Sequence, residues 1–546
     1  MTAIDEIAEI DVIEGRRRET QHRLDSVKTQ AERNKLGQFA TPTVLATDII
    51  EYAKTLLSTS HQVRFLDPAF GTGSFYSALL RSFPLSRIAK AWGYEIDLHY
   101  GQEAKKLWVN TPLELSISDF TQVASPVADE DKANLLICNP PYVRHHHLSA
   151  DEKSRLQRLA QQTTGIRPSG LAGLYIYFLL VSHEWMADGG LAGWLIPSEF
   201  MDVNYGKQVK QYLLQHVTLL RVHRFNPDDV QFGDALVSSA IVWFRKERPP
   251  AGHEVEFSYG GTLAKPGISG RIAANVLWQA AKWTRFPKPS NSMLSESRTK
   301  ASRTGLKLSD LFNIKRGLVT GANRFFILKP EQILRHELPS DFLIPILPSP
   351  RYLVTNEIEA DDDGNPIVNP QLFLLACNLP ESAIRARYPS LWEYLQIGVQ
   401  KGIDKRYLCL HRSPWYSQEN RPASPLLCTY MGRRRSGNRK PFRFILNRSR
   451  ATAPNVYLML YPKPALEKEL RGNPELLGTV WRVLSDISSD TLIGEGRIYG
   501  GGLHKIEPNE LANVPADSIL KVLPGLSGIL TTQLSLFECV GEFHKT

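Results

Sequence analysis

From Leu36 to about Lys246, short apolar runs alternate with longer stretches whose apolar residues recur at helical spacing. HQVRFLDPAF reads as a strand ending at Asp67, and GSFYSALLRSF as the helix after it. AKAWGYEID is the next strand and LHYGQEAKKLWVN the next helix. ANLLICNPP is a strand ending at Asn139-Pro140. LYIYFLLVSHEWM follows as a helix, GGLAGWLIPSEF as a strand with its loop, YGKQVKQYLLQHV as a helix and ALVSSAIVWFRK as a closing strand. This alternation predicts a parallel-rich α/β sheet with helices on both faces. Beyond about residue 306 it is lost, Pro and Gly become frequent, and several segments read as short strands. Four regions result: a charged, partly helical extension at 1–36, an α/β domain at 37–250, a linker region at 251–305 and a mixed α/β domain at 306–546.

Composition narrows the class. With 42% hydrophobic and 22% charged residues, the 546-residue chain is neither fibrous nor fully disordered. Lys and Arg total 65 against 56 Asp and Glu, and the net +9 suits a polyanionic partner without requiring one. Cys138, Cys377, Cys409, Cys428 and Cys539 are too scattered for a disulfide framework or a structural zinc site. No apolar run reaches the ~18–20 residues of a membrane span, and the acidic N-terminus lacks signal-peptide order. The expectation is a cytoplasmic protein with no membrane partner. Arg16, Arg17 and Arg18 read as a solvated helix face, with DNA contact as the alternative.

Two constellations carry chemistry. In FLDPAFGTGSF, Asp67 closes a strand, Gly71 and Gly73 follow, and a helix begins. Such a turn lets backbone approach a ligand, with the helix amides free to bind it. Asp67 is placed to orient amino or amide groups. Glu95, in GYEID, ends the next strand and suits ribose hydroxyls, and Asp119 in ISDF suits an adenine amino group. Any one of these acids could simply cap a helix. Three at successive strand ends point to a nucleoside pocket. The third glycine of a dinucleotide loop is missing, which argues against a nicotinamide oxidoreductase.

The second constellation is Asn139-Pro140-Pro141-Tyr142. Two prolines fix φ and remove competing amide donors. With Asn139 and Tyr142, such a site can accept both hydrogens of an exocyclic amine and stack on its ring; taken alone, Asn-Pro-Pro reads as readily as a rigid turn. Cys138 reads as a packing residue, and His145, His146 and His147 as a loop beside Arg144 rather than a metal site.

In this order the segments resemble the gamma class of N6-adenine DNA methyltransferases, of the TaqI and Eco57I types. The resemblance implies a class I S-adenosylmethionine-dependent methyltransferase (Rossmann-like) domain and a C-terminal mixed α/β target recognition domain. It implies that GQFATP, with Thr41, covers S-adenosylmethionine. Asp67, Ala69, Gly71, Gly73, Glu95, Asp119 and Asn139 would line the rest of the cofactor site. Asn139 and Pro140 would act on the target amine of a flipped-out adenine, with Tyr142 and Phe232 against its two faces; Phe225 competes for the latter role. GLVTGANRFFI and RIYGGGLHKIEPNEL resemble the opening and closing segments of Eco57I-type recognition domains.

Between Met431 and Arg450 the chain carries Arg433, Arg434, Arg435, Arg439, Lys440, Arg443, Arg448 and Arg450 with no acid. Together with Lys315, Arg316, His504, Lys505 and Arg144 these are the candidate contacts to double-stranded DNA. No nuclease motif stands out, so a separate cognate restriction endonuclease is the possible partner, and a monomer the expected state. The alternatives are an RNA adenine methyltransferase and a non-catalytic DNA-binding subunit with the same fold.

Overall fold

The computed structural model describes residues 3–59, 62–226, 238–287, 305–433, 440–499 and 502–523, with side chains withheld for residues 3–8, Ala31 and Ile498. The chain divides between residues 299 and 300 into two compact units, the short segment 499–502 being counted with the first.

The first unit is built on nine strands: β1 (Val63–Asp67), β2 (Ile88–Glu95), β3 (Leu113–Ile117), β4 (Ala133–Cys138), β5 (Met186–Pro197), β6 (Thr218–Arg224), β7 (Ser239–Arg245), β8 (Glu254–Gly261) and β9 (Pro266–Ala273). Their order is β3-β2-β1-β4-β5-β7-β6-β8-β9. The run from β3 to β5 is parallel, and β7 pairs antiparallel with both β5 and β6. This is a Rossmann-like core sheet. β4 is apolar on both faces because both faces are covered. β3, at the edge, alternates half-buried and exposed positions. Two apolar clusters fill the layers, one around Leu136, Trp194 and Tyr212, the other around Phe65, Tyr76 and Trp243.

Helices α1 (Ala3–Ser26), α2 (Gln30–Leu36) and α3 (Thr43–Leu56) precede the sheet; α4 (Ser74–Ser82) and α5 (Leu98–Leu107) follow β1 and β2. The extension predicted at 1–36 is thus part of the unit: Ile10 and Leu24 are buried in it. The linker predicted at 251–305 needs correction too. Its first half supplies β8 and β9, with Val255 and Phe257 buried between outward-facing Glu254 and Glu256. Acids alternating with apolar residues made a half-buried strand look like a polar connector. β6, absent from the predicted elements, lies between β7 and β8.

In the second unit β10 (Phe312–Arg316), β11 (Ile327–Leu328), β12 (Leu343–Pro345), β13 (Glu357–Ile358), β14 (Phe373–Leu375), β15 (Leu426–Thr429), β16 (Met431–Arg433), β17 (Phe444–Asn447) and β18 (Tyr457–Pro462) are joined by short helices. Five form a sheet in the order β10-β18-β15-β17-β13, and three form β11-β14-β12. Each has its own apolar cluster, one around Phe312, Leu446 and Leu484, the other around Phe326, Leu374 and Tyr416. Among the described residues no helix is long and apolar enough to cross a membrane.

Candidate active site

The strand order reverses between β1 and β4, because the chain leaves β1 towards β2 and β3 and then crosses back. Ligands of open α/β sheets sit at such a switch point, beyond the carboxyl ends of the strands. Asp67 and Asn139 stand on either side of it.

Asp67 ends β1 and is buried. Loss of hydration pushes its carboxyl up to about 8. The amide of Ala69, donating to Oδ1 at 3.1 Å, opposes this only in part, and the nearby charge of Glu95 adds to it. At neutral pH the group is mostly protonated. The turn that follows takes positive φ at Gly71 (57°) and Gly73 (90°). A Cβ on Gly73 would lie 2.6 Å from Trp108 Nε1, whereas one on Gly71 would meet no atom within 4 Å. The Trp108 and Phe70 side chains pack closely behind the turn, and among the described residues open space lies in front of it.

Glu95 ends β2. Its carboxylate accepts from the amides of Gly71 and Asp97, each at 2.8 Å. Burial raises its pKa, against those two amides. The carboxylate thus pins the glycine turn to the second strand. Asp119 behaves differently. Its Oδ1 accepts from the amide and hydroxyl of Thr121, Oδ2 accepts from Gln122, and Arg155 lies 3.6 Å away. The carboxylate caps the turn after β3, the role that competed with adenine recognition for every strand-end acid.

After β4, Asn139 and Pro140 form the rim. Asn139 Nδ2 donates to the Phe39 carbonyl at 2.9 Å and to Thr41 Oγ1 at 3.1 Å. Those acceptors settle which end of the carboxamide is nitrogen. Among the described residues its buried Oδ1 has no hydrogen-bond partner. Thr41, expected at the cofactor, is also buried and holds Asn139 in place. Gly37 is equally close: Tyr142 N donates to its carbonyl, and a Cβ there would lie 2.3 Å from that nitrogen. The segment 37–41 is laced directly onto the Asn-Pro-Pro-Tyr turn.

Tyr142 is buried. Its hydroxyl donates to the Leu195 carbonyl at 3.0 Å, and its ring lies 5.8 Å from that of Phe39. Cys138 is buried with its thiol pKa pushed well up, as a packing residue requires. Phe225 is buried against His223 at 4.8 Å. Phe232 lies outside the described residues. Arg144 is exposed and heads the turn His145–His147. Partial burial and then neighbouring cations hold His145 and His146 below the ordinary imidazole value, so they add little positive charge at neutral pH. Among the described residues no cluster of three or more potential metal ligands occurs.

Comparison with known proteins bears on both units. Residues 280–527 match the family described as type II methyltransferase M.Eco57I, C-terminal domain, and residues 87–231 match the Eco57I restriction-modification methylase. Together these two segments make the chain similar to the Eco57I-type, type II DNA methyltransferases. Among individual relatives, the type II methyltransferase M.XamI of Xanthomonas campestris pv. amaranthicola is 26% identical over 89% of this chain and 86% of its own. M.AccI of Acinetobacter calcoaceticus is 26% identical over 88% and 85%. The type IIL restriction-modification enzyme MmeI, solved in complex with DNA, shares the fold at a TM-score of 0.53 and 12% identity, over 93% of this chain and 78% of that one. This likeness supports a DNA methyltransferase role in general, and with it dependence on S-adenosylmethionine.

The basic residues of the second unit bear on that role, and the structure sorts them. Lys315 and Arg433 are exposed. Arg316 stacks on Tyr430 at 4.2 Å, and Lys505 lies over the same ring at 5.1 Å. β16 pairs with the strand Leu503–Lys505, so Arg433, His504 and Lys505 share one small sheet. Arg443 instead donates to the carbonyls of Pro350 and Leu353. Lys440 donates to those of Ser485 and Ile487, and Arg448 pairs with Glu357 and Glu359. His504 is buried. Arg434, Arg435 and Arg439 lie outside the described residues. At least three of the eight basic residues of this run, Lys440, Arg443 and Arg448, therefore have internal work, and charge density alone could not separate them from the rest.

One cluster was missed from the sequence. Arg16 and Arg18 are exposed, but Arg17 is only 3% exposed and reaches into the glycine turn. Neither reading of the Arg16–Arg18 run, solvated face or DNA contact, describes it. The available signal was Glu14-x-x-Arg17, an ion-pair spacing on one face of a helix.

Proposed function

We propose that the protein is a gamma-class, site-specific DNA adenine N6-methyltransferase, the modification enzyme of a type II restriction-modification system. The observation that carries this reading is the Asn139 carboxamide. Its nitrogen is committed to Phe39 and Thr41, and its oxygen is a buried acceptor without a donor among the described residues. Such an atom costs stability unless something completes it. An exocyclic amine does so, with the rigid Pro140 carbonyl as the second acceptor. The oxygen is covered here, so a target base engages it only as the site opens.

S-Adenosylmethionine fits the chain's own residues. The neutral, buried Asp67 can ionise beside an ammonium, Glu95 stands at the second strand end for ribose hydroxyls, and the turn at Gly71 faces open space. When bound, the cofactor supplies an electrophilic methyl group. Asn139 and Pro140 hold the two N6 hydrogens, drawing the nitrogen out of conjugation with the ring and aiming its lone pair. Tyr142, anchored through its hydroxyl, presents a ring for stacking. Catalysis on this scheme is positioning and electrostatics, with no covalent enzyme intermediate. The adenine must leave the duplex to reach the turn, and Phe232 is proposed to meet its other face. Asp119 is retained as a cofactor-side residue only if its capping bonds open.

The test is incubation with unmethylated genomic DNA and labelled S-adenosylmethionine, followed by mapping of modified bases. N6-methyladenine at one short recurring sequence is expected. Methylation confined to cytosine, or to RNA supplied in parallel, would overturn the reading.

A further inference from the structure

Arg17 is the most heavily bonded side chain around the proposed cofactor turn, yet it lies on a helix outside every motif. Its Nε and Nη2 bind both oxygens of Glu14 at 2.6 and 2.7 Å. Nη1 then donates to Thr72 Oγ1 at 3.1 Å and Ser74 Oγ at 2.9 Å, and Nη2 to Thr43 Oγ1 at 3.2 Å. Thr72 belongs to the turn between Gly71 and α4, and Ser74 is the first residue of α4. Thr43 opens α3, directly after the segment that holds Asn139. Glu14 repeats the pattern, accepting from Thr43 Oγ1 and Ser77 Oγ, each at 2.6 Å. Gln21, one turn farther along α1, accepts from Thr72 Oγ1 at 2.7 Å.

We infer that Arg17, paired with Glu14, is a positioning residue that clasps the cofactor turn to the 37–43 segment and so sets cofactor affinity. The inference rests on the cofactor site proposed above. Three features argue for more than generic stability. The pair is a buried ion pair, which hydrophobic packing of equal volume replaces at little or no loss of stability; a purely structural joint had no need of it. Every remaining guanidinium bond goes to a hydroxyl on one of the two segments that border the site, and none goes elsewhere in α1. The Gly73 N-cap of α4 has no side-chain cap of its own, so Arg17 and Glu14 supply the polar side-chain bonds that hold this helix start. Glu14 also places an anion at the positive end of the helix. Burial would raise its carboxyl, but the hydrogen bond and charge of Arg17, with the Ser77 and Thr43 hydroxyls, outweigh this and hold it low.

The experiment is calorimetric titration of the full-length protein with S-adenosylmethionine, beside steady-state kinetics on methylatable DNA. Arg17→Lys keeps the charge but cannot form the fork, and Ser74→Ala and Thr72→Val each remove one hydroxyl while leaving the ion pair intact. Arg17→Lys is expected to weaken cofactor binding on the order of tenfold and to raise the KM for S-adenosylmethionine alike, leaving the KM for DNA and the turnover at saturating cofactor nearly unchanged. The two hydroxyl deletions should each weaken it by a few-fold. Arg16→Ala and Arg18→Ala, on the exposed face of the same helix, should match the unaltered protein. Unchanged affinity in Arg17→Lys and both hydroxyl variants would overturn the clasp, as would equal losses in the Arg16 and Arg18 variants. Failure of the unaltered protein to bind S-adenosylmethionine would instead sink the cofactor assignment itself.

Discussion

Charged residues are used differently in the two units. In the first, Asp67, Glu14 and Arg17 are buried at the mouth of a parallel sheet, and each is held by named amides, hydroxyls or an opposite charge. In the second, Lys315 and Arg433 are solvent-exposed, while Arg448 is balanced by surface acids and Arg443 by backbone carbonyls. A buried charge is expensive to leave unpaired, so its partners reveal its role. An exposed charge is cheap, and its position says little without a ligand. Substitutions should therefore have large, specific effects in the first unit and small, salt-dependent ones in the second.

The largest effect is expected at Asn139. Asn139→Ala removes the proposed acceptor for the target amine and should lower methyl transfer by roughly 10²-fold or more, the scale for losing one oriented hydrogen-bonding group at a reacting centre. Cofactor affinity should fall much less. Transfer of labelled methyl at saturating DNA and cofactor checks this, and near-full activity would remove Asn139 from the chemistry.

Asp67 comes next, through pH. Its folded pKa, raised to about 8 by burial, lies above the ordinary carboxyl value. Below about pH 4 both folded and unfolded forms hold the proton, and the group costs nothing. Between about pH 4 and 8 the unfolded chain gives the proton up while the folded one retains it, so this group makes the fold progressively less stable as pH rises. Asp67→Asn and the unaltered protein should accordingly melt together near pH 4, with the variant the more stable by pH 8. Binding of a cationic cofactor group should ionise Asp67, releasing up to about one proton at pH 7. Calorimetry in two buffers of different ionisation enthalpy reads that number, and no release would separate Asp67 from the ammonium.

A smaller effect is expected at Tyr142. Tyr142→Phe keeps the ring and loses the bond to the Leu195 carbonyl, costing about 1 kcal/mol in denaturant unfolding with transfer largely retained. Tyr142→Ala should also lose activity. Equal activity in the two variants would argue against stacking.

The smallest effects belong to the second unit. Arg433→Ala should reduce the slope of log affinity for DNA against log salt by about 1. Arg448→Ala, whose charge is already paired with Glu357 and Glu359, should leave the slope unchanged. Equal slopes for the two variants would erase the distinction drawn between exposed and internally paired arginines.

The alternating apolar pattern was enough to place β1, β2, β4, β5 and β7, because strands buried within a covered sheet read as short apolar runs bounded by turns. It was also enough to set Asp67, Glu95 and Asn139 at strand ends, since a strand's last residue and its turn are local matters. β8 was hidden by the acids on its outer face, and β6 passed unlisted between its neighbours. The clasp was hidden for a different reason. Glu14 and Arg17 are 29 and 26 residues from Thr43 and more than 50 from Thr72 and Ser77, and no local pattern encodes which hydroxyl a guanidinium will meet.

The sequence alone determined the order of the elements, the rigid Asn-Pro-Pro-Tyr turn and the acids around it, because dihedral limits and apolar periodicity act within a few residues. Only the tertiary structure decided which of those groups are free to act. It tied the Asn139 nitrogen and left its oxygen buried without a donor among the described residues, committed Asp119 to a cap and drew Arg17 from a solvated run into the glycine turn. Hydrogen-bond partners and dehydration are properties of what surrounds a side chain, and the surroundings come from distant parts of the chain.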